Sequence, residues 1–237
     1  MAPHPADHPG PFALVVDLDA PILAPDDTHH LERVLRLRAG DPLVLGDGCG
    51  RWCPARFGHA VEPTGPIESA SGAEPAITVA FALVKGGKPE LAVQKLTELG
   101  VDRIIPFRAA RSVVQWDGPR AAKAVGRLRS VARSATQQCH RPWLPEVSEI
   151  VDFQDLVLGD NAALADRIGE PPSLRHPVVL VGPEGGWADE ERAAAAAAGA
   201  PCVAVADHVL RAETAAVTVG AVLTSLRARR IRDVFGP

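Results

Sequence analysis

The segment from His176 to Arg192, HPVVLVGPEGGWADEER, has the composition of a ligand-binding loop between a strand and a helix. A short apolar run leads into the glycine-rich stretch Gly182 to Gly186. In open α/β sheets, ligands bind at the carboxyl ends of strands, and glycines allow the backbone to approach them closely. The stretch matches neither the Walker phosphate loop nor the G-x-G-x-x-G dinucleotide motif.

Three acidic residues at the start of the following helix indicate what kind of ligand this loop would take. Asp189, Glu190 and Glu191 suit the positive end of the helix dipole, but they would repel a phosphate group placed there. A ligand without phosphates, such as an adenosine that carries a cationic group, therefore fits better. The alternative is a tight turn that uses glycine for steric reasons alone.

A second candidate loop lies in the segment from Val203 to Leu223, where a strand, a polar stretch and an apolar helix follow one another. A helix with little charge on any face is predicted to be buried. Arg211 and Glu213 at its entrance are either functional groups at the mouth of a pocket or a structural ion pair next to a capping Thr214. Loops of this kind after two neighbouring strands would frame one cleft.

The elements that must position both loops alternate between strand and helix from Ala76 onward, which predicts a parallel α/β sheet. The pattern places strands at 76–84, 101–107, 161–165, 177–181 and 202–206, and helices at 89–99, 118–138, 189–199 and 214–230.

The first sixty residues or so indicate a small β-rich unit instead. A strand is predicted from Phe12 to Leu18, and a helix within His29 to Asp41 that Gly40 ends, with Asp26, Asp27 and Thr28 as candidate caps. Two strands joined by a glycine-rich turn follow. The segment 61–75 is rich in proline and glycine, a composition typical of a linker. We therefore predict two domains, 1–72 and 73–237.

Composition excludes several classes of protein. The chain has 237 residues, of which 46% are hydrophobic and 23% charged, close to globular averages. No apolar stretch approaches the length of a membrane span, and the N-terminus lacks the features of a secretory signal, so we expect a cytoplasmic protein without membrane contact. The four cysteines show no metal-ligand spacing, so we expect reduced thiols and no metal.

The net charge of −4 hides a separation of charge along the chain. The segment 103–141 holds nine basic residues and one acid, whereas the segment 146–170 holds seven acids and one base. This pattern indicates either a positive face that could contact RNA or an ordinary solvated helix.

Two motifs in order, GPEGG at Gly182 to Gly186 and LRAETA at Leu210 to Ala215, resemble the signature loops of the RsmE family. The resemblance extends over most of the chain, through the segments 30–41, 83–101, 110–114 and 135–145. Members of that family are S-adenosylmethionine-dependent methyltransferases that modify uracil N3 in small-subunit (16S) ribosomal RNA.

The resemblance implies a PUA-like β-barrel that binds RNA, followed by a knotted α/β methyltransferase domain of the SPOUT superfamily. It implies a homodimer and S-adenosyl-L-methionine as cofactor. The cofactor residues would be Gly182, Pro183, Glu184, Gly185, Gly186, Val205, Ala206, Leu210, Ala212 and Thr214. The RNA-binding residues would be Arg33, Arg36, Arg38, Arg111, Gln138 and Arg141, and the catalytic residues Arg211 and Glu213.

The roles of Arg211 and Glu213 stay open at this point. Arg211 would stabilise negative charge on the uracil oxygens or would pair with Glu213, and Glu213 would accept the N3 proton. Two other readings of the whole chain remain: an RNA-binding or ribosome-assembly protein that has lost catalysis, and a knotted methyltransferase that acts on a ribose hydroxyl of transfer RNA.

Overall fold

The computed structural model describes residues 4–84, 86, 88–114, 116, 118–159 and 161–235. The chain forms two compact units. The first unit comprises the described part of Met1–Gly72 together with Arg133–Leu144, and the second comprises Ala73–Ala132 together with Pro145–Pro237, again within the described residues. In these residues no helix is both long and apolar enough to cross a membrane.

The first unit is built on a five-stranded sheet. Its elements are a 3-10 turn (Pro5–Asp7), β1 (Phe12–Leu14), α1 (Pro25–His29), a π-helical turn (His30–Val34), β2 (Pro42–Gly46), β3 (Arg51–Arg56), β4 (Glu62–Pro63) and β5 (Glu68–Ser69). The strand order is β1-β2-β3-β4, and β5 also pairs with β3. Only the β1–β2 pair is parallel. Consecutive residues of β2 face two separate apolar clusters, so this strand is buried on both faces.

The second unit is a parallel sheet with helices. Its elements are β6 (Thr78–Ala82), α2 (Lys88–Leu99), β7 (Arg103–Arg108), α3 (Gly118–Gln138), β8 (Glu146–Val147), β9 (Val151–Asp152), α4 (Phe153–Val157), β10 (Ala162–Glu170), β11 (Val178–Val181), α5 (Asp189–Ala197), β12 (Cys202–Val203) and α6 (Ala212–Phe235). The strand order is β12-β10-β11-β6-β7-β8, with β9 also on β7, and every pair is parallel. The predicted alternating α/β architecture is confirmed.

The core of the second unit has two layers because each central strand is buried on both faces. Val79 and Phe81 of β6 belong to one apolar cluster, whereas Ala80 and Ala82 belong to the other. This alternation explains why the strand is a continuous apolar run in the sequence. Helix α6 packs closely on α2, since a Cβ atom at Gly220 would lie 2.6 Å from Leu96 Cδ2.

Three local predictions in the first unit are wrong. The strand predicted to reach Leu18 ends at Leu14, because Asp17 turns the chain by accepting a hydrogen bond from the Asp19 amide. The helix predicted from His29 begins at Pro25, whose fixed φ suits a first helical position. Asp26, Asp27 and Thr28 consequently lie within the helix and do not cap it. The helical segment stops at Val34, before Arg36 adopts a left-handed φ of 59°.

The first unit also contains a segment from the middle of the chain. The end of α3 carries Arg133, which donates hydrogen bonds to the Leu14 carbonyl (2.7 Å) and to Asp27 Oδ2 (2.6 Å). Beyond the helix, the Trp143 indole donates to the Ala70 carbonyl at 3.1 Å. Residues 133–144 are therefore part of this unit, although they lie about sixty residues beyond its other segment.

Candidate functional site

A cavity of about 280 Å³ opens in the second unit where β11 and β12 end, beside the middle of β10. Strand β10 lies between the other two, so the two candidate loops do not follow neighbouring strands as we expected. They frame one cleft nonetheless, and the middle of β10, from Ala165 to Arg167, forms its third side. The lining residues are Ala165, Asp166, Arg167, Val181, Gly182, Pro183, Glu184, Gly186, Trp187, Arg192, Val205, Ala206, His208, Val209, Leu210, Ala212 and Ala215.

The glycine-rich loop begins against a buried tryptophan. A Cβ atom at Gly182 would lie 2.9 Å from Trp187 Cε2, so only glycine fits at this position. Trp187 is held in turn by a hydrogen bond from its indole to the Ala165 carbonyl (2.9 Å) and by stacking on Phe107, with ring centroids 6.1 Å apart. The indole thus forms a rigid wall of the cavity.

The other end of the loop is open. The Gly186 amide donates to the Pro183 carbonyl at 2.9 Å, which closes a turn, and Gly186 has a φ of +69°. A Cβ atom at Gly186 would meet no atom within 4 Å. Glycine is therefore required here for its backbone conformation, and the space beside it is free for a ligand.

The neighbouring glycine supports the loop from outside the cavity. A Cβ atom at Gly185 would lie 3.2 Å from the Arg111 Cβ atom, and Arg111 donates a hydrogen bond from Nη1 to the Gly185 carbonyl at 3.2 Å. Arg111, which we expected to bind RNA, is exposed and also braces the glycine-rich loop.

Only two of the three acids at the start of α5 face solvent. Asp189 and Glu190 are exposed, whereas Glu191 is 6% exposed. The Glu191 carboxylate accepts hydrogen bonds from the Ala188 amide (2.9 Å) and from the Ala110 amide (2.8 Å). Glu191 therefore caps the helix and ties the glycine-rich loop to the segment after β7.

Replacing Glu191 with alanine should lower the free energy of unfolding by about 3 kcal/mol, because two backbone amides would lose their acceptor in a buried place. Urea denaturation would measure the loss. The matched control is Glu190→Ala, which removes an exposed acid from the same helical turn and should change stability by less than about 0.5 kcal/mol. Equal losses in both variants would contradict the role of Glu191 as a cap.

A lysine that the sequence analysis did not single out joins the two loops. Lys88, the first residue of α2, donates a hydrogen bond from Nζ to Glu184 Oε1 at 2.5 Å. The same Nζ atom lies 3.9 Å from Glu213 Oε2. The cation beside Glu213 is thus Lys88, and the alternative in which Arg211 pairs with Glu213 is wrong.

The two candidate catalytic residues differ in their surroundings. Glu213 has a side chain that is 11% exposed, and its buried Oε2 atom has no hydrogen-bond partner. Arg211 is exposed, and among the described residues no acid lies within ion-pair distance of it. Neither residue lines the cavity, although Leu210 and Ala212 on either side of Arg211 do.

The strand between the loops adds polar groups that sequence reasoning missed. Asp166 and Arg192 form an ion pair at the cavity wall, and Arg167 beside them is exposed. Burial raises the pKa of the nearby Cys202 thiol, and Asp166 raises it further against the opposing effect of Arg192. The thiol is therefore neutral at physiological pH.

Eight of the ten expected cofactor residues line the cavity. Gly185 and Thr214 do not: Gly185 faces Arg111, and Thr214 is exposed within the first turn of α6. Thr214 does not cap this helix, which begins at Ala212.

The expected RNA-binding residues lie mostly in the first unit. Arg33, Arg36, Arg38 and Gln138 are exposed, and Arg141 is half-buried. Among the described residues, no acid pairs with the side chains of the three arginines of the 33–38 segment. These arginines therefore keep their charge available for a polyanion.

The long basic stretch is partly neutralised within the fold. Three acids of the acidic segment pair with it: Glu146 with Arg103 (3.2 Å), Glu149 with Arg129 (2.8 Å) and Asp152 with Arg108 (3.3 Å). In addition, Arg127 pairs with Glu90 and Arg133 with Asp27. The separation of charge along the sequence is thus partly cancelled in space, which leaves a smaller positive surface than the counts suggest.

Within the described ranges, no group of three or more histidine, cysteine, aspartate or glutamate side chains is arranged to hold a metal ion. All four cysteines carry free thiols.

Comparisons with known proteins agree over nearly the whole chain. A family model described as an RNA methyltransferase domain matches residues 72–224, and one described as an RNA methyltransferase PUA domain matches residues 23–60. The chain is 36% identical over 220 residues to ribosomal RNA small subunit methyltransferase E of Mycobacterium tuberculosis, covering 83% of each chain. It is 28% identical to the Bacillus subtilis protein of the same name, covering 80% of this chain and 84% of the relative.

Solved structures show the same similarity. The protein Lpg2936 from Legionella pneumophila, solved with the cofactor SAM bound, superimposes with a TM-score of 0.81 at 27% identity, covering 92% of this chain and 98% of that one. The small subunit methyltransferase E of Neisseria gonorrhoeae, bound to S-adenosyl methionine, superimposes with a TM-score of 0.77 at 26% identity, covering 94% and 97%.

Proposed function

Because the chain belongs to the ribosomal RNA small subunit methyltransferase E family, we propose that it methylates 16S ribosomal RNA with S-adenosylmethionine as methyl donor. The observation that carries the proposal is the cavity framed by the two motif loops, GPEGG and LRAETA. Two structures with this fold bear the names of methyltransferases and contain that cofactor.

The cavity suits S-adenosylmethionine in shape and charge. Trp187 offers a flat apolar wall, and the space beside Gly186 is free of side chains. Glu184 places a carboxylate on the lining, which suits a cationic ligand. The backbone atoms of the GPEGG loop and of the Val205 to Leu210 segment would hold the adenosine.

We propose uracil N3 as the methylated atom. When bound, the cofactor would supply the methyl group to uracil N3 and would leave as a neutral thioether, and the N3 proton would pass to an acceptor. The protein must therefore align uracil N3 with the methyl group and favour the deprotonated base. Arg211 would stabilise the negative charge that develops on the uracil oxygens, and Glu213 is the nearby carboxylate that would take the proton.

A buried carboxylate without a hydrogen-bond partner supports the role of Glu213. The Oε2 atom of Glu213 has an unused acceptor site, which a proton donor would satisfy. Its cation Lys88 is 3.9 Å away and is already bound to Glu184. Glu213 would reach the substrate only after a local rearrangement, since Oε2 is enclosed in this structure.

The alternative interpretation, in which the chain is an RNA-binding or ribosome-assembly protein without catalysis, predicts that it does not bind the cofactor. Isothermal titration calorimetry with S-adenosylmethionine would decide this point. A chain that folds but does not bind the cofactor would overturn the proposed enzyme.

The other alternative, in which the chain methylates a ribose hydroxyl of transfer RNA, predicts a methylated transfer RNA as the product. Mass-mapping of 16S ribosomal RNA and transfer RNA from a deletion strain and its parent would identify the target. We expect a single uridine of 16S ribosomal RNA to lose a methyl group in the deletion strain, and complementation to restore it.

We propose that the first unit binds RNA through the 33–38 segment, because its three exposed arginines have no ion-pair partners among the described residues. Replacing Arg33, Arg36 and Arg38 with glutamine should weaken RNA binding and lower the slope of log K against log salt by about two to three. Filter binding between 50 and 300 mM salt would measure it. An unchanged slope would show that these side chains are merely solvated.

A homodimer in the cytoplasm completes the proposal. The second unit carries exposed apolar side chains, since Val209, which lines the cavity, is 84% exposed, and Ile168 of β10 is 71% exposed. A second copy of the chain would cover such groups. Analytical ultracentrifugation would show a single species of about twice 24.9 kDa.

A further inference from the structure

Three charged side chains from three elements meet beside the cavity: Lys88 of α2, Glu184 of the GPEGG loop and Glu213 of α6. We call them the Lys88 cluster. The hydrogen bond from Lys88 to Glu184 is short, at 2.5 Å, whereas Glu213 is held only by the charge of Lys88 at 3.9 Å. With two carboxylates and one ammonium group, the cluster has a formal charge of −1.

The cluster is coupled to the cavity through Glu184 and α6. Glu184 lines the cavity directly, and Glu213 follows Ala212, which also lines it. Because Glu213 is enclosed and its Oε2 atom lacks a hydrogen-bond partner, water screens its charge poorly. The negative charge therefore acts on a ligand in the cavity more strongly than a surface carboxylate would.

We propose that the Lys88 cluster determines how strongly the cavity distinguishes a sulfonium ligand from the corresponding neutral thioether. This inference rests on the proposed function, in which S-adenosylmethionine is consumed and S-adenosylhomocysteine is formed. The two ligands share adenosine, ammonium and carboxylate groups and differ in the methyl group and positive charge at sulfur. A site with a local negative charge favours the donor over the product, which promotes product release.

Lys88 moderates this preference and is a positioning residue. Its ammonium group neutralises one of the two carboxylates and holds the GPEGG loop next to the start of α6. Removing the lysine would change the formal charge of the cluster from −1 to −2, and neutralising Glu184 would change it from −1 to zero. The two changes should therefore shift the preference between the ligands in opposite directions.

The test measures the dissociation constants of both ligands by calorimetry on the full chain, without RNA. Lys88→Met should increase the ratio of the S-adenosylhomocysteine constant to the S-adenosylmethionine constant by about three- to tenfold, and Glu184→Gln should decrease it by a similar factor. Lys88→Arg keeps the charge and should keep the ratio. The matched control is Lys95→Met on the same helix, since Lys95 pairs with Glu98 and does not contact the cluster.

A purely structural role makes a different prediction. If Lys88 only holds the loop in place, its loss would weaken both ligands equally and leave the ratio unchanged, and that result would overturn the inference. Ratios that shift in the same direction in Lys88→Met and Glu184→Gln would overturn it too. If Lys88→Met does not fold, the other two variants still test the inference. Glu184→Gln should lower the ratio of the two dissociation constants, whereas Lys88→Arg should leave it unchanged.

Failure of the proposed function would be recognised separately. If the unmodified protein bound neither ligand, the cofactor assignment would be wrong and this inference would fall with it. If it bound both ligands but the ratio were the same in all variants, only the inference would be wrong.

Discussion

Replacing Gly186 with valine should reduce the affinity for S-adenosylmethionine by about ten- to a hundredfold, or about 1–3 kcal/mol, the usual cost of overfilling a packed site. The Cβ atom at this position would enter free space beside the GPEGG turn, and valine would add two methyl groups to it. Calorimetry on the purified variant would measure the loss.

The backbone strain that this substitution causes has to be separated from its effect on cofactor binding. Gly186 has a φ of +69°, so any other residue would strain the backbone. Gly199→Val is the matched control, because Gly199 has a φ of +73°, also has no neighbour within 4 Å of a Cβ atom, and does not line the cavity. Both variants should lose stability, but only Gly186→Val should lose the cofactor. Wild-type affinity in a folded Gly186→Val protein would show that the cofactor lies elsewhere.

The longer elements of the second unit could be predicted because the hydrophobic pattern and the proline and glycine residues at the element ends indicate the same bounds. The short elements β8, β9 and α4 were not predicted. Helix α3 matches its prediction at both ends, and α2 differs by one residue. The apolar runs that became β6 and β11 were recognised because parallel strands are buried on both faces. The α/β class and the methyltransferase resemblance followed from these elements and from two motifs.

The first unit was harder because its order depends on contacts that are distant in sequence. Nothing in the local pattern shows that Arg133 would bond to Asp27, or that Trp143 would bond to the Ala70 carbonyl. The π-helical turn after α1 likewise has no sequence signature that we could use. The knot that the family resemblance implies stays a prediction.

The sequence predicted the glycine-rich loop of the site, but it did not predict two of the charged side chains, Lys88 and Asp166. A glycine-rich loop is a local sequence motif, so Gly182 and Gly186 could be identified from the sequence. Lys88 was missed because it lies about a hundred residues before its partners, and only the packing of α2 on α6 brings them together. Asp166 was missed because strand order, and hence the place of β10 between the two loops, cannot be read from the chain.

Replacing Arg211 with alanine should lower the methylation rate by a hundredfold or more, the scale of losing one donor that stabilises a developing oxyanion. The cofactor is itself cationic, so its affinity should change little. Lysine should retain only part of the activity, because a point charge cannot replace a planar guanidinium. Single-turnover methylation of 16S ribosomal RNA at saturating cofactor would measure the rate.

The surroundings of Arg211 sharpen this prediction, because they argue against a structural role. The residue precedes α6 at the positive end of the helix dipole, where a cation is unfavourable, and among the described residues no acid lies within ion-pair distance of it. Arg211→Ala should therefore leave the melting temperature unchanged or raise it slightly. A cation kept at a place where it costs stability is expected to serve the substrate. Arg230→Ala, an exposed arginine further along the same helix, is the matched control and should have normal activity. A near-normal single-turnover rate in Arg211→Ala would remove this residue from the mechanism.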